Sequence, residues 1–500
     1  MNRIIIVLLF FLTGLTAIAK PRPNVIIIYA DDLGYGDLSC YGSTKLLTPN
    51  LDRFAVNGLR FTHAHTTSAT CTPSRYGLMT GQYPWRKQGT GVLPGDAALI
   101  VPTDKITLPK VFQKAGYKTG IVGKWHLGLG DEIEKDWNGE IVPGPNEVGF
   151  DYSFIFPATA DRVPTVFIEN HKVIGLDEND KIEVDYKNKI GTEPSGQEDE
   201  DLLKMPSSIH HGHENTIING VGRIGYMKGG KMARWTDEEV SLSFLTKAKA
   251  FIDENKSKPF FLYFSLTEPH VPRVPATIFK GKSGLGYRGD VILQLDWTVG
   301  EIMKELEYLK LDKNTLVIFT SDNGPVLDDG YRDGAVTKQN GHTPAGVLRG
   351  GKYSIFEAGT RVPMIVRWPG KIKGGTSSAV ISQIDFLASF ANNFGIPVVN
   401  NEAGDSENHW DAIIGKTQKG RTFLIEHAGT LAIVKDEMKY ISPSDGQAYY
   451  ELTNTESGLS PQDQLYNLRN DIGEKNNIAT NFPGKVAELK LLLEKVKAGK

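Results

Sequence analysis

Oxygen donors cluster at two points of the chain. Asp31 and Asp32 follow the apolar run 25–29 after Ala30, and Asp322 and Asn323 follow the apolar run 316–320 after Ser321. Each pair falls where a buried strand would give way to a loop, the edge at which open α/β sheets bind ligands. Three carboxylates and an amide oxygen, with no imidazole or thiolate among them, form a hard-cation set that suits Ca²⁺, and Mg²⁺ less well, rather than zinc. A third stretch, Cys71-Thr72-Pro73-Ser74-Arg75, offers a nucleophile. Pro73 suits the first turn of a helix, and a neighbouring Ser or Thr can cap it. Cys71 would then sit where free N–H groups and the helix dipole favour an anionic group.

Elements to hold these residues are visible in the apolar pattern. Runs 25–29, 119–122, 260–266, 316–320 and 362–367 are apolar or β-branched and bounded by Gly, Pro, Asn or Asp, as central parallel strands are. Amphipathic stretches 108–115, 237–255, 291–309 and 383–394 lie between them. The alternation predicts an α/β fold, a large mostly parallel sheet sandwiched by helices. Residues 129–232 are rich in Gly, Asn, Asp and Pro and read as long loops that shape a cleft. From residue 428 short strands and a final helix over 484–497 predict a small C-terminal α+β domain. The expected division is therefore 1–19, 20–427 and 428–500.

The chain has 500 residues, 40% hydrophobic and 23% charged, which is a globular composition. With 56 basic and 59 acidic residues, the net charge of -3 argues against a nucleic-acid binder with a broad basic surface. Cys40 and Cys71 are the only cysteines, so at most one disulfide can form. Met1-Asn2-Arg3, an apolar run to Leu12 and Ala17-Ile18-Ala19 read as a signal peptide cleaved after Ala19. A periplasmic or secreted protein is expected, with no membrane span after cleavage and no Cys at the new N-terminus to carry a lipid.

Cys71-Thr72-Pro73-Ser74-Arg75, followed by Tyr76 to Gly81, resembles the signature of the formylglycine-dependent sulfatases, in the alkaline-phosphatase superfamily. Gly123-Lys124-Trp125-His126-Leu127-Gly128 is similar to that family's second signature, and Pro269-His270-Val271-Pro272 and Arg349-Gly350-Gly351-Lys352 resemble its further active-site segments. Gln464 to Leu468, with Asp471, Glu474 and Asn477, resembles the family's C-terminal domain. The resemblance implies hydrolysis of sulfate monoesters on a sulfated carbohydrate, such as a galactose or N-acetylhexosamine sulfate. It implies Cys71 converted to formylglycine by a maturation enzyme and a Ca²⁺ held by Asp31, Asp32, Cys71, Asp322 and Asn323. Arg75, Lys124 and Lys352 would clamp sulfate, His270, with Lys352, would protonate the leaving oxygen, and His126 would deprotonate the second hydroxyl of the hydrated aldehyde. Arg223, in a Gly-rich stretch with Tyr226, together with Asn340, His342, Thr159, Asp161 and Arg162, are expected to touch the sugar. His210, His211 and His213 read as an exposed loop rather than a metal tract. Rival readings are a formylglycine-dependent phosphonate or phosphate monoester hydrolase and a non-catalytic sulfated-glycan binder.

Overall fold

A computed structural model describes residues 22–131, 135–208, 210–399 and 402–499. The expected signal segment lies outside the described residues. Ten strands form the main sheet: β1 (Asn24–Ala30), β2 (Leu59–Phe61), β3 (Lys118–Lys124), β4 (Tyr152–Phe156), β5 (Ile168–Glu169), β6 (Lys172–Val173), β7 (Phe260–Ser265), β8 (Thr315–Ser321), β9 (Met364–Arg367) and β10 (Gly375–Ser377). Their order is β10-β2-β9-β8-β1-β7-β3-β4-β5-β6. The centre, β8-β1-β7-β3-β4, is parallel throughout.

Period-two alternation places successive β1 side chains in different layers. Val25, Ile27 and Tyr29 join one core with helices α2 (Cys71–Thr80), α3 (Leu108–Lys114) and α6 (Phe386–Phe394). Ile26, Ile28 and Ala30 join another with α1 (Pro49–Val56), α4 (Val240–Asn255) and α5 (Gly286–Tyr308). Burial on both faces is why β1 reads as an unbroken apolar run, each large aliphatic side chain contributing about 1.5–3 kcal/mol.

Two expectations are corrected. The run 362–367 contains β9, which pairs antiparallel with β8. A parallel return needs a crossover of a dozen or more residues, usually a helix. Between β8 and β9 the chain forms only the single helical turn Glu357–Thr360, so it turns back at the same sheet edge. Within the stretch read as loops, β4 supplies a fifth parallel strand; its Tyr-Ser-Phe-Ile-Phe run was masked by the Gly- and Asn-rich chain around it.

A smaller antiparallel sheet follows, in the order β11 (Leu424–Ala428), β12 (Thr430–Lys435), β13 (Met438–Ile441) and β16 (Gln464–Asn467). A short hairpin, β14 (Tyr449–Tyr450) and β15 (Thr455–Glu456), is inserted before β16. Ile425, Ile433 and Tyr440 pack under the terminal helix α7 (Pro483–Lys497) with Leu489 and Leu493. On the opposite face, Ala432, Val434 and Ile441 pack with Ala69, Ile355 and Phe356 of the large unit. The small sheet thus supports the segment leading into Cys71.

Candidate active site

Strand register assembles the site. Ala30 pairs with Ser321, Tyr29 with Ser265 and Ser265 with Gly123, so β1, β8, β7 and β3 end together. Asp31 and Asp32, Asp322 and Asn323, and Lys124 consequently leave the same edge. Gly123 is required there: its φ is +119°, and a Cβ would lie 1.7 Å from the Ser265 carbonyl oxygen. Asp32 (φ 64°), His126 (φ 56°) and Tyr353 (φ 72°) are left-handed non-glycines at the same edge, each costing of order 1–3 kcal/mol, a strain typical of functional sites.

Cys71 is the first residue of α2, with Thr70 at the N-cap position but making no side-chain cap bond. Its thiol is buried, which raises its pKa against the opposing pull of Lys124 and Lys352. Next to it, Thr72 Oγ1 donates to the His126 carbonyl oxygen at 3.1 Å. One turn on, Arg75 is fully buried and donates to Asp322 Oδ2 through Nε (3.0 Å) and Nη2 (2.7 Å). Nη1 of Arg75 reaches Ser265 Oγ, the Tyr263 hydroxyl and the Lys124 carbonyl.

Charge is dense at this edge. Lys124 Nζ lies 2.6 Å from Asp31 Oδ2, and Lys352 Nζ lies 3.0 Å from Asp32 Oδ2 and 2.7 Å from Asp329 Oδ2. Burial, then the Asp322 charge, pushes the Asp31 carboxyl well above its usual range. Burial also raises Asp32, against Lys352, whereas at Asp322 burial is outweighed by Arg75 and Lys124, which hold it low. Among the described residues, Asp31 Oδ1 and Asn323 Oδ1 are buried acceptors without a hydrogen bond, while Asn323 Nδ2 donates to Asp32 Oδ1 at 2.7 Å. Free acceptor oxygens beside three buried carboxylates fit a hard divalent cation. Ligand atoms of Asp31, Asp32 and His270 lie within 4.8 Å of one another, a buried cluster that could hold a metal ion.

Hydrogen bonds fix the tautomers of the two site histidines. His126 Nε2 meets the Leu93 carbonyl at 2.9 Å and so carries the proton, leaving Nδ1 as a buried acceptor without a partner. His270 Nδ1 meets the Val271 carbonyl at 2.7 Å, so the neutral ring turns an unprotonated Nε2 toward Asp32 Oδ2, 3.8 Å away. Burial, then nearby lysines, keeps His270 neutral, and burial with Lys124 does the same for His126.

A cavity of about 240 Å³ opens over Cys71, His270 and Lys352. Its far wall holds Asp161, Arg162 and His213. Asp161 accepts from Arg162 Nη1 and His213 Nε2, both at 3.0 Å, and these partners outweigh burial to keep it well below the usual carboxylate range. Thr159 is buried and receives Arg162 Nη1 on its Oγ1.

Other expected contacts lie elsewhere. Arg223 is buried against Asp237 (2.6 Å) and the Ala160 carbonyl, and its neighbour Ile224 lines the cavity instead. His342 Nε2 bonds Asp37 at 2.8 Å, a carboxylate also gripped by Arg288. Asn340 is exposed and donates to the Gly284 carbonyl. The histidine tract departs from its reading as an exposed loop, because His213 is buried against Asp161 and both His211 and His213 line the cavity. Asp329, which accepts from Lys352 and the Tyr353 hydroxyl, was missed; its only sequence signal is the pair Asp328-Asp329. Leu452 and Thr453, from the β14–β15 hairpin, gave none. Cys40 is a half-buried free thiol pushed up to about 12 by burial, and no disulfide joins it to Cys71.

Residues 23–396 match the family model for sulfatases. An N-acetylgalactosamine-6-O-sulfatase of Bacteroides thetaiotaomicron is 54% identical over 478 residues, 95% of this chain and 93% of that protein. Human arylsulfatase A is 31% identical over 497 residues, 96% and 88% of the two chains. A solved structure from work on the metabolism of multiple glycosaminoglycans by Bacteroides thetaiotaomicron superposes with a TM-score of 0.94 at 53% identity, covering 95% of this chain and 99% of that one. The family model spans the whole strand-end assembly and the relatives align nearly end to end, so the chain belongs to the sulfatase family and is a sulfuric ester hydrolase.

Proposed function

We propose that the protein is an exported exo- or endo-acting carbohydrate sulfatase that cleaves a sulfate monoester of an N-acetylgalactosamine or related galactose-type unit. The observation that carries this reading is the 54% identity, over nearly the whole chain, to an N-acetylgalactosamine-6-O-sulfatase. The cavity supports it, with Lys352 beside Cys71 for the sulfate, Lys124 and Arg75 buried behind that end on Asp31 and Asp322, and polar groups Asp161, Arg162, His213 and Asp329 on its walls for sugar hydroxyls.

Asp31, Asp32, Asp322 and Asn323 are the residues that would hold a Ca²⁺, which would neutralise charge on the sulfate oxygens. Formylglycine, made from Cys71 by a maturation enzyme, would supply a hydroxyl nucleophile toward sulfur without recruiting water to that step. The chain's own groups do the rest. Arg75 anchors Asp322 and with it the position of α2. Lys124 and Lys352 complement the charge that develops on the equatorial oxygens, where preorganised electrostatics contribute most. Lys352, an ammonium at rest, is poised to give a proton to the departing sugar oxygen; His270 can do so only once Nε2 is protonated, because Nδ1–H is committed to Val271. His126 Nδ1 is the free base that would take a proton beside residue 71.

Purified protein assayed against position-defined sulfated monosaccharides, with nitrophenyl sulfate, phosphate and phosphonate esters in parallel, tests the reading. Turnover of an N-acetylgalactosamine or galactose sulfate is expected. Dominant phosphonate or phosphate turnover would establish the rival hydrolase, and binding without turnover by protein bearing formylglycine would establish the non-catalytic rival.

A further inference from the structure

A second cavity, of about 320 Å³, adjoins the first. Tyr353, Leu452 and Thr453 line both, so the two share a rim at the tip of the β14–β15 hairpin. Its remaining walls come from β11 and its turn (His427, Ala428), from Ser68 beside the Cys71 segment, and from Tyr450. No lysine, arginine or carboxylate lines it. The one titratable ring apart from the tyrosines, His427, is kept neutral by burial and meets Ser68 Oγ through Nδ1 at 3.3 Å. Where the cavities join, the buried Oγ1 of Thr453 has no hydrogen-bond partner. Two tyrosines, a leucine and an alanine with hydroxyls at the edge match a ring that has apolar faces and a polar rim.

Resting on the carbohydrate sulfatase reading above, we propose that this cavity is a subsite for an unsulfated pyranose linked to the sulfated unit, with Tyr450 as its specificity-determining residue and Thr453 Oγ1 as a partner for a sugar hydroxyl at the junction. The true substrate is then at least a disaccharide, and the neighbouring ring carries no sulfate, since a second sulfate would find no cation here. Tyr449 bonds Asn454 across the hairpin itself, and His211 Nε2, from the cavity wall, reaches the Leu452 carbonyl at 2.6 Å.

The test measures kcat/KM of wild type, Tyr450→Ala and Tyr450→Phe on a sulfated monosaccharide and on two disaccharides carrying that unit at the non-reducing or the reducing end. Wild type is expected to favour at least one disaccharide. Tyr450→Ala should lower that disaccharide-to-monosaccharide ratio about three- to tenfold, mainly through KM, and Tyr450→Phe should retain it. An unchanged ratio in Tyr450→Ala overturns the proposal, as does, in a further assay with the favoured disaccharide sulfated also on its neighbouring ring, a higher kcat/KM for that doubly sulfated form. Should Tyr450→Ala not fold, wild type alone decides, because equal kcat/KM on all three substrates leaves no subsite to explain. No turnover of any sulfated saccharide would instead remove the proposed function itself.

Discussion

Replacing Lys439 by methionine should unlock the junction between the small sheet and the large one, with a cost that depends on pH. Lys439, on β13, is fully buried, and its Nζ lies 2.7 Å from Glu426, 3.1 Å from Glu357 and 3.2 Å from Glu474. Glu357 belongs to the turn after Lys352, so this ammonium ties the lysine-bearing loop to β11 and β13. Burial pushes the Glu474 carboxyl up to about 8, so it is already protonated at neutral pH. At Glu357 and Glu426 burial is outweighed by Lys439, and both are held below the usual range. Methionine keeps the length and removes the charge, leaving Glu357 with Arg361 at 3.1 Å and Glu426 with His65 at 3.0 Å. Breaking a buried pair in this way costs about 3–5 kcal/mol. The sign with pH follows from proton counts. In wild type the two depressed carboxyls contribute stability that is present above about pH 4.5 and lost below it. In the variant at least one of them is raised, so the folded state binds a proton that the unfolded chain does not, and stability falls as pH rises. Glu474, which Lys439 also pulls down, rises further in the variant and adds to the difference with the same sign. One proton adds about 1.4 kcal/mol per pH unit, so the destabilisation should be about 2–3 kcal/mol larger at pH 7.5 than at pH 5.5. Urea unfolding followed by tryptophan fluorescence at the two pH values measures it. A destabilisation below about 1 kcal/mol, or one equal at both pH values, would refute the account of Lys439 as the counter-charge of that cluster.

Changing Cys71 to alanine should abolish turnover while shifting Tm by no more than about 3 °C, since the thiol makes no structural bond; mass spectrometry of the wild-type peptide should show the aldehyde in place of the thiol. Asp322→Asn should lose bound divalent metal by elemental analysis, and its Tm should stop responding to added Ca²⁺ or chelator, whereas wild type should gain about 2.7 kcal/mol at a hundredfold excess over Kd. In Asp161→Asn, Arg162 and His213 lose their charged partner at the cavity wall, and KM for the sugar sulfate should rise about tenfold or more, a change that steady-state kinetics would show directly.

The parallel centre of the fold was legible because burial on both faces leaves little room for polar residues in β1, β7 and β8. Strand direction was not, since a lone apolar run such as β9 carries no record of the edge from which the chain enters it. At the site, residues fixed to strand ends or to α2 were legible, because a short motif in sequence is also short in space. Cavity-wall residues divide differently. Asp161 and Arg162 line the cavity, but Arg223, also chosen for a side chain able to bind a sugar, is spent on Asp237 inside the loop core. A side chain's type cannot show which of two buried carboxylates it will meet when the partners lie in loops whose packing is set by tertiary contacts.

Dependence on distant partners also explains why the small C-terminal sheet matters to a reaction whose named groups all belong to the large one. The Ala69 amide donates to the His427 carbonyl of β11 at 3.0 Å, and the Tyr353 amide donates to the Ala69 carbonyl at 2.8 Å. One short hydrogen-bonded chain therefore passes from the small sheet, through the residue two before the Cys71 helix, to the residue after Lys352. In the proposed reaction residue 71, at the start of α2, and the ammonium of Lys352 must act on one sulfate ester from different elements, and an error of about 1 Å between such groups can cost a hundredfold in rate. Left-handed backbone at Tyr353 is affordable only where the surroundings over-determine it, and this chain, with the Tyr353 hydroxyl on Asp329, is what over-determines it. Loosening β11 should therefore lower kcat before it unfolds the large sheet, which makes the small sheet part of the positioning apparatus rather than an appendage.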